Sequence, residues 1–128
     1  MEGAAKQVKR LSFELGGNAP FIVFEDADLK AAVEGGVAIK CLRVGGQSCI
    51  CANRIYVQRS VADRFIPAFV DAVKRLKVAP GFEPGAQVGP LINEETRSKV
   101  HSLVQDAVKR GARLVTGGNP LAEGAYAK

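Results

Sequence analysis

Cys49 lies in the run Gly45-Gly46-Gln47-Ser48-Cys49-Ile50-Cys51-Ala52-Asn53-Arg54. A glycine-rich turn lets the backbone approach a ligand closely and presents the next side chain at a rim. Gln47, Ser48 and Asn53 add polar groups, and Arg43 and Arg54 are close in sequence. Cationic neighbours favour the thiolate, the form of cysteine that acts as a nucleophile. The competing reading is a buried thiol packed as a small hydrophobe, the commonest state of a free cysteine. Glu14 ends a strand-like segment just before Leu15-Gly16-Gly17. A carboxylate at the C-terminal edge of a strand faces the site of an α/β sheet. In a partly apolar pocket it would hold its proton more tightly, as suits a general base. A solvent-facing glutamate is the alternative.

The other candidates carry less. Cys49 and Cys51 form a C-x-C pair, but a metal would need two more ligands. Cys41 and His101 lack zinc-motif spacing, so no metal is expected. A reversible Cys49–Cys51 disulfide is strained by the i, i+2 separation. Gly16-Gly17 is a weak phosphate signal, without G-x-G-x-x-G or G-x-x-x-x-G-K-[ST]. His101, the single histidine, shares a helix face with Ser98 and Gln105 and reads as solvated rather than catalytic. No Ser/His/Asp or Cys/His set is visible.

The elements that must position these residues follow from periodicity. Arg10–Leu15 alternates, with Leu11, Phe13 and Leu15 on one face, and predicts a strand. Phe21–Phe24 is a continuous apolar run, as in a strand buried on both faces. Asp26 or Asp28 can cap a helix carrying Leu29, Val33, Val37, Cys41 and Val44. Gly35 and Gly36 weaken its interior, which suggests close approach of another backbone. Arg54–Gln58 reads as a strand, Ser60 with Asp63 as a capping box, and Val61, Phe65, Phe69, Ala72, Val73 and Leu76 as a helical stripe. Residues 79–90 read as loop. Asn93 caps a helix with Glu94 and Glu95 at its positive end, Val100, Leu103, Val104, Ala107 and Val108 facing the core, and Gly111 ending it. Arg113–Thr116 predicts a short strand, and 118–128 a loose tail. Strands alternating with helices predict an α/β fold with a mostly parallel sheet, one face of which is short of helical cover.

Composition excludes several classes. Hydrophobic residues are 47% and charged residues 24%, ordinary for a globular chain and far from wholesale disorder. No apolar run approaches the roughly 20 residues of a membrane span. The net charge of +5 is spread along the chain among acids. With six Phe, two Tyr and no Trp, stacking platforms for nucleic acid are not visible. The start, MEGAAKQVKRL, has no apolar core of a secretory signal. A reducing compartment and free thiols are therefore expected.

Taken together these residues resemble the aldehyde dehydrogenase family. Phe13-Glu14-Leu15-Gly16-Gly17-Asn18-Ala19-Pro20 is similar to its general-base motif and Gly46-Gln47-Ser48-Cys49 to its nucleophile motif. Gly89-Pro90-Leu91-Ile92 and Gly111-Ala112 with Val115-Thr116-Gly117-Gly118 match later landmarks in order, so the resemblance runs from Val8 to Gly118. Asn18–Phe24 and Cys49–Arg54 most resemble succinate-semialdehyde dehydrogenases.

The resemblance implies a partial three-layer αβα catalytic domain and NAD or NADP as cofactor, with Leu15 and Gly16 as weak cofactor-binding candidates. It implies a small aldehyde as partner, homo-oligomers in the full-length family, and a cytoplasmic or mitochondrial-matrix location. Cys49 would attack the aldehyde carbon, backbone N–H groups would hold the oxyanion, and Glu14 would activate water against the thioester. Arg43 matches a substrate-carboxylate arginine, a task that suits the guanidinium fork. Cys49 and Cys51 match a redox pair of some members. Family enzymes are several times longer, so the cofactor-binding and C-terminal parts are expected to be missing and the chain alone to be inactive. The Lys40–Val44 stretch is one residue longer than the family pattern. In an α-helix one extra residue rotates all that follows by about 100° unless a bulge absorbs it.

Overall fold

The computed structural model describes residues 1–121. A single helical turn, α1 (Glu2–Ala5), opens the chain. The sheet of the described residues has two parallel strands, β1 (Ala19–Val23) and β2 (Ala52–Val57). Ala19 pairs with Ala52, Phe21 with Ile55 and Val23 with Val57. Parallel strands need a crossover, and α2 (Leu29–Val37) begins it. Asp28 is the cap: its Oδ1 accepts the Ala31 N–H at 3.0 Å. Two long helices follow β2, α3 (Arg59–Lys74) and α4 (Glu94–Lys109).

One face of the sheet holds the core. Val23, Val33, Val61 and Phe65 are buried together, with Phe21, Ile55, Val57 and Phe69 packed around them. The Phe65 and Phe69 rings stack with centroids 5.5 Å apart. The opposite face is bare, with Ile22, Phe24 and Tyr56 all exposed. The expected α/β class with a parallel sheet is therefore present, with helical cover on one side. The Phe21–Phe24 run is not buried on both faces but alternates, its core-facing residues being Phe21 and Val23.

Several expected elements differ. Arg10–Leu15 and Arg113–Thr116 are irregular rather than strands. Leu11, Phe13 and Leu15 are exposed, because alternation makes a strand only where a neighbour completes its ladder. The Ser60–Asp63 capping box does not form, since α3 starts two residues earlier, at Arg59, with Gln58 at the cap position and no side-chain cap. Ser60 Oγ instead donates to Glu25 Oε2 at 2.6 Å, and Gln58 Oε1 accepts the Glu25 N–H at 3.0 Å. Both bonds tie the end of β1 to the start of α3. Asn93 does cap α4, its Oδ1 accepting the Thr96 N–H at 2.9 Å. The α4 stripe, however, faces no core: no residue of α4 is buried. Residues 79–90 form a loop closed by a Val78–Val88 bridge. Of the tail expected over 118–128, residues 122–128 lie outside the described residues.

After α2 the hydrogen-bond spacing changes. Ala38–Leu42 is a π turn, and the Arg43 N–H donates to the Ala38 carbonyl at 3.2 Å. An i→i+5 turn holds one residue more than an α-turn. It is thus the form of bulge that would absorb one extra residue, as expected for Lys40–Val44, without turning the following chain through a third of a revolution. Three consecutive left-handed residues come next, Val44 (φ 51°), Gly45 (59°) and Gly46 (79°).

Gly35 and Gly36 differ in what they face. A Cβ on Gly36 would lie 3.0 Å from the Phe69 ring, whereas one on Gly35 would meet nothing nearer than Phe21 at 3.9 Å. Aromatic rings, not a second backbone, make the close approach. Gly35→Ala is expected to stabilise the chain by up to about 1 kcal/mol through helix propensity. Gly36→Ala is expected to lose that gain to overpacking, which costs about 1–3 kcal/mol. Thermal unfolding followed by circular dichroism should raise Tm for the first and lower it for the second. Equal shifts would contradict this packing.

Candidate active site

The register of β1 and β2 decides what meets at the site. Because Ala19 pairs with Ala52, the chain entering β1 runs beside the turn entering β2. A Cβ on Gly17 would overlap the Cys49 carbonyl oxygen and lie 3.2 Å from its carbon. Only glycine lets these two backbones come so close. The base-like motif and the nucleophile-like motif thus touch through Gly17 and Cys49, at the N-terminal ends of the two strands. The expectation for Glu14, at a strand's C-terminal edge, therefore does not apply: its segment is irregular and Glu14 is exposed.

Cys49 sits in a tight turn. The Cys51 N–H donates to the Ser48 carbonyl at 3.0 Å, and Ser48 Oγ accepts the Ile50 N–H at 3.4 Å. The turn presents Cys49 to solvent while Cys51 is wholly buried and Cys41 half-buried, all three as free thiols. Cys49 is accordingly not the buried small hydrophobe of the alternative reading. The turn is approached through Gly46, whose N–H donates to the Arg43 carbonyl at 3.0 Å, and Gln47, whose N–H donates to the Val44 carbonyl at 3.1 Å. Burial pushes the Cys41 thiol up, the Lys40 ammonium opposes this, and Cys51 adds to the rise.

The remaining candidates separate. Arg43 is exposed and lines an open hollow with Gly35, Ala38, Ile39 and Leu42, which does not include Cys49. Leu15 and Gly16 are exposed, and a Cβ on Gly16 would meet nothing within 4 Å. Gly16-Gly17 leads into a strand, not into a helix N-terminus that could receive a phosphate. His101 is half-buried and its Nδ1 is shut off from solvent without a hydrogen-bond partner, so it is not simply solvated. It lines a cavity of about 330 Å³ with Val78, Pro90, Leu91, Val100 and Val104, away from Cys49. No group of three metal-ligating side chains occurs among the described residues.

Two participants are not visible from sequence spacing. Gly17, flagged only as a weak phosphate signal, acts through its missing side chain. Lys40 reaches from the π turn to Cys51 and Asn53, eleven and thirteen residues on, a contact no local pattern encodes.

The aldehyde dehydrogenase family model matches residues 1–128. A succinate-semialdehyde dehydrogenase [NADP(+)] of Escherichia coli (strain K12) is 52% identical over 118 residues, 92% of this chain and 24% of that protein. A glutarate-semialdehyde dehydrogenase of Pseudomonas putida is 51% identical, covering 98% of this chain and 26% of that protein. The solved succinate-semialdehyde dehydrogenase from Burkholderia pseudomallei superposes with a TM-score of 0.86 at 51% identity, over 98% of this chain and 26% of that one. The chain spans about a quarter of the length of the curated relatives it matches. With its two motifs in contact and a family match along its whole length, the chain belongs to the aldehyde dehydrogenase family.

Proposed function

We propose that this chain supplies the nucleophile and the general base of an NAD(P)-dependent dehydrogenase acting on a semialdehyde, succinate semialdehyde first and glutarate semialdehyde second. The carrying observation is the backbone contact of Gly17 with Cys49, which joins the two motifs at one place. The exposed Cys49 thiolate adds to the aldehyde carbon, and a backbone N–H of its turn faces the oxygen as it gains charge. Glu14 takes the proton of the water that later cleaves the thioester and releases the acid. Arg43 holds the distal carboxylate of the substrate. Oxidation between those steps needs a hydride acceptor, NAD or NADP. The chain spans about a quarter of the length of its relatives, and on its own it is expected to be inactive.

Three outcomes are expected. Iodoacetamide at neutral pH, with modification read by mass spectrometry, should label Cys49 at least about tenfold faster than either other thiol. Cys51 is shielded, and Cys41 holds its proton more tightly. Equal rates for all three would remove the nucleophile assignment. The isolated chain mixed with succinate semialdehyde and NAD or NADP should show no turnover near the roughly 1–10³ s⁻¹ of ordinary enzymes. Rates in that range would refute the claim of inactivity. Finally, the chain can be grafted in place of the matching segment of the Escherichia coli relative. There Arg43→Ala should raise KM for succinate semialdehyde about tenfold or more, the loss of a charged hydrogen bond, and leave an aldehyde without a carboxylate unaffected. An unchanged KM would discard the role given to Arg43.

A further inference from the structure

The Cys49 backbone is fixed on one side by Gly17. On the other side the structure offers Lys40. Its Nζ lies 3.5 Å from Cys51 Sγ and 3.2 Å from Asn53 Oδ1. Cys51 is wholly buried, whereas Lys40 is half-buried and Asn53 exposed, so the ammonium bridges the covered thiol and the surface. Lys40 also bounds the left-handed turn. A Cβ on Gly46 would lie 2.6 Å from the Lys40 carbonyl oxygen and 3.5 Å from its Nζ. One residue thus touches Gly46, three positions before Cys49, and Cys51, two positions after it. The π turn puts it there, because Ala38–Leu42 includes Lys40.

We propose that Lys40 is a positioning residue for the nucleophile: its ammonium, held by Cys51 and Asn53, pins the Gly46–Asn53 segment so that Cys49 is presented and Cys51 stays covered. This rests on the reading of Cys49 as the nucleophile. An ammonium suits the task because it offers three donors from one point to acceptors on different stretches of chain. Lys40 itself does not touch the reacting atoms.

The test is the labelling of each thiol by iodoacetamide in the 128-residue chain, read by mass spectrometry. Lys40→Met keeps most of the length of the side chain and removes its donors. It is expected to raise Cys51 labelling by about tenfold or more, as loss of a charged hydrogen bond would, and to narrow the gap between Cys49 and Cys51. Lys40→Arg, which keeps the charge and the donors, should return Cys51 labelling most of the way to that of the unmodified chain. An unchanged Cys51 rate in Lys40→Met, or no recovery in Lys40→Arg, overturns the proposal. If Lys40→Met unfolds the chain, all three thiols will label alike, and Asn53→Ala then decides. Its exposed side chain carries only the second anchor, so Cys51 labelling should rise about threefold, since an ordinary hydrogen bond is weaker. No rise there also overturns the proposal. Fast, selective Cys49 labelling together with a Lys40-independent Cys51 rejects the positioning role and leaves the nucleophile standing. Slow Cys49 labelling with a Lys40-dependent Cys51 rejects the nucleophile and with it the positioning role, leaving only the hold of Lys40 on Cys51.

Discussion

The contact of Gly17 with the Cys49 carbonyl is the constraint to which the rest of the site answers. It exists only in one register of the two strands, the one in which Ala19 faces Ala52. That register is held by the burial of Val23, Val33, Val61 and Phe65 on one face, each such side chain contributing about 1.5–3 kcal/mol when fully buried. A slip by one residue would turn Phe21 and Val23 away from the helices and separate the two motifs together. Core packing and the geometry of the site are therefore the same question here.

The second constraint is how the chain returns from α2 to β2. A surplus residue in a regular helix would swing Arg43 and Cys49 around its axis. The π turn over Ala38–Leu42 holds one residue more than an α-turn, and Val44 to Gly46 follow with positive φ. Val44 is β-branched, so its positive φ costs on the order of 1–3 kcal/mol. Such a residue persists only where its surroundings over-determine it. The hydrogen bonds through Arg43, Val44, Gly46 and Gln47, with Lys40 alongside, are those surroundings.

Large apolar side chains remain outside this arrangement. Ile22, Phe24 and Tyr56 lie on the bare face of the sheet, and Leu103, Val100 and Val108 on α4. Parallel sheets are ordinarily covered on both faces, and the described residues supply one layer. The relatives are about four times as long as the stretch they share with this chain.

Local physics made much of this legible in sequence. Asp28 and Asn93 marked helix starts because capping needs only a side-chain oxygen and an N–H three residues on. The apolar run Phe21–Phe24 and the segment Arg54–Gln58 located β1 and β2, and the glycine-rich turn around Cys49 allowed an exposed thiol without deciding between it and a buried one. What sequence could not supply was any outcome that depends on a distant neighbour. The alternation in Arg10–Leu15 states that a half-buried strand would fit, but a strand forms only when another strand takes its hydrogen bonds. The apolar stripe of α4 likewise says which face would be buried, not whether anything covers it. Gly17 and Lys40 carry no local signature, since their roles are contacts with Cys49 and Cys51 across the register of the sheet. The residue types and their spacing determined which chemistry the chain carries; tertiary structure alone decided which of those groups meet, because steric fit between backbones far apart in sequence is set by the packed core.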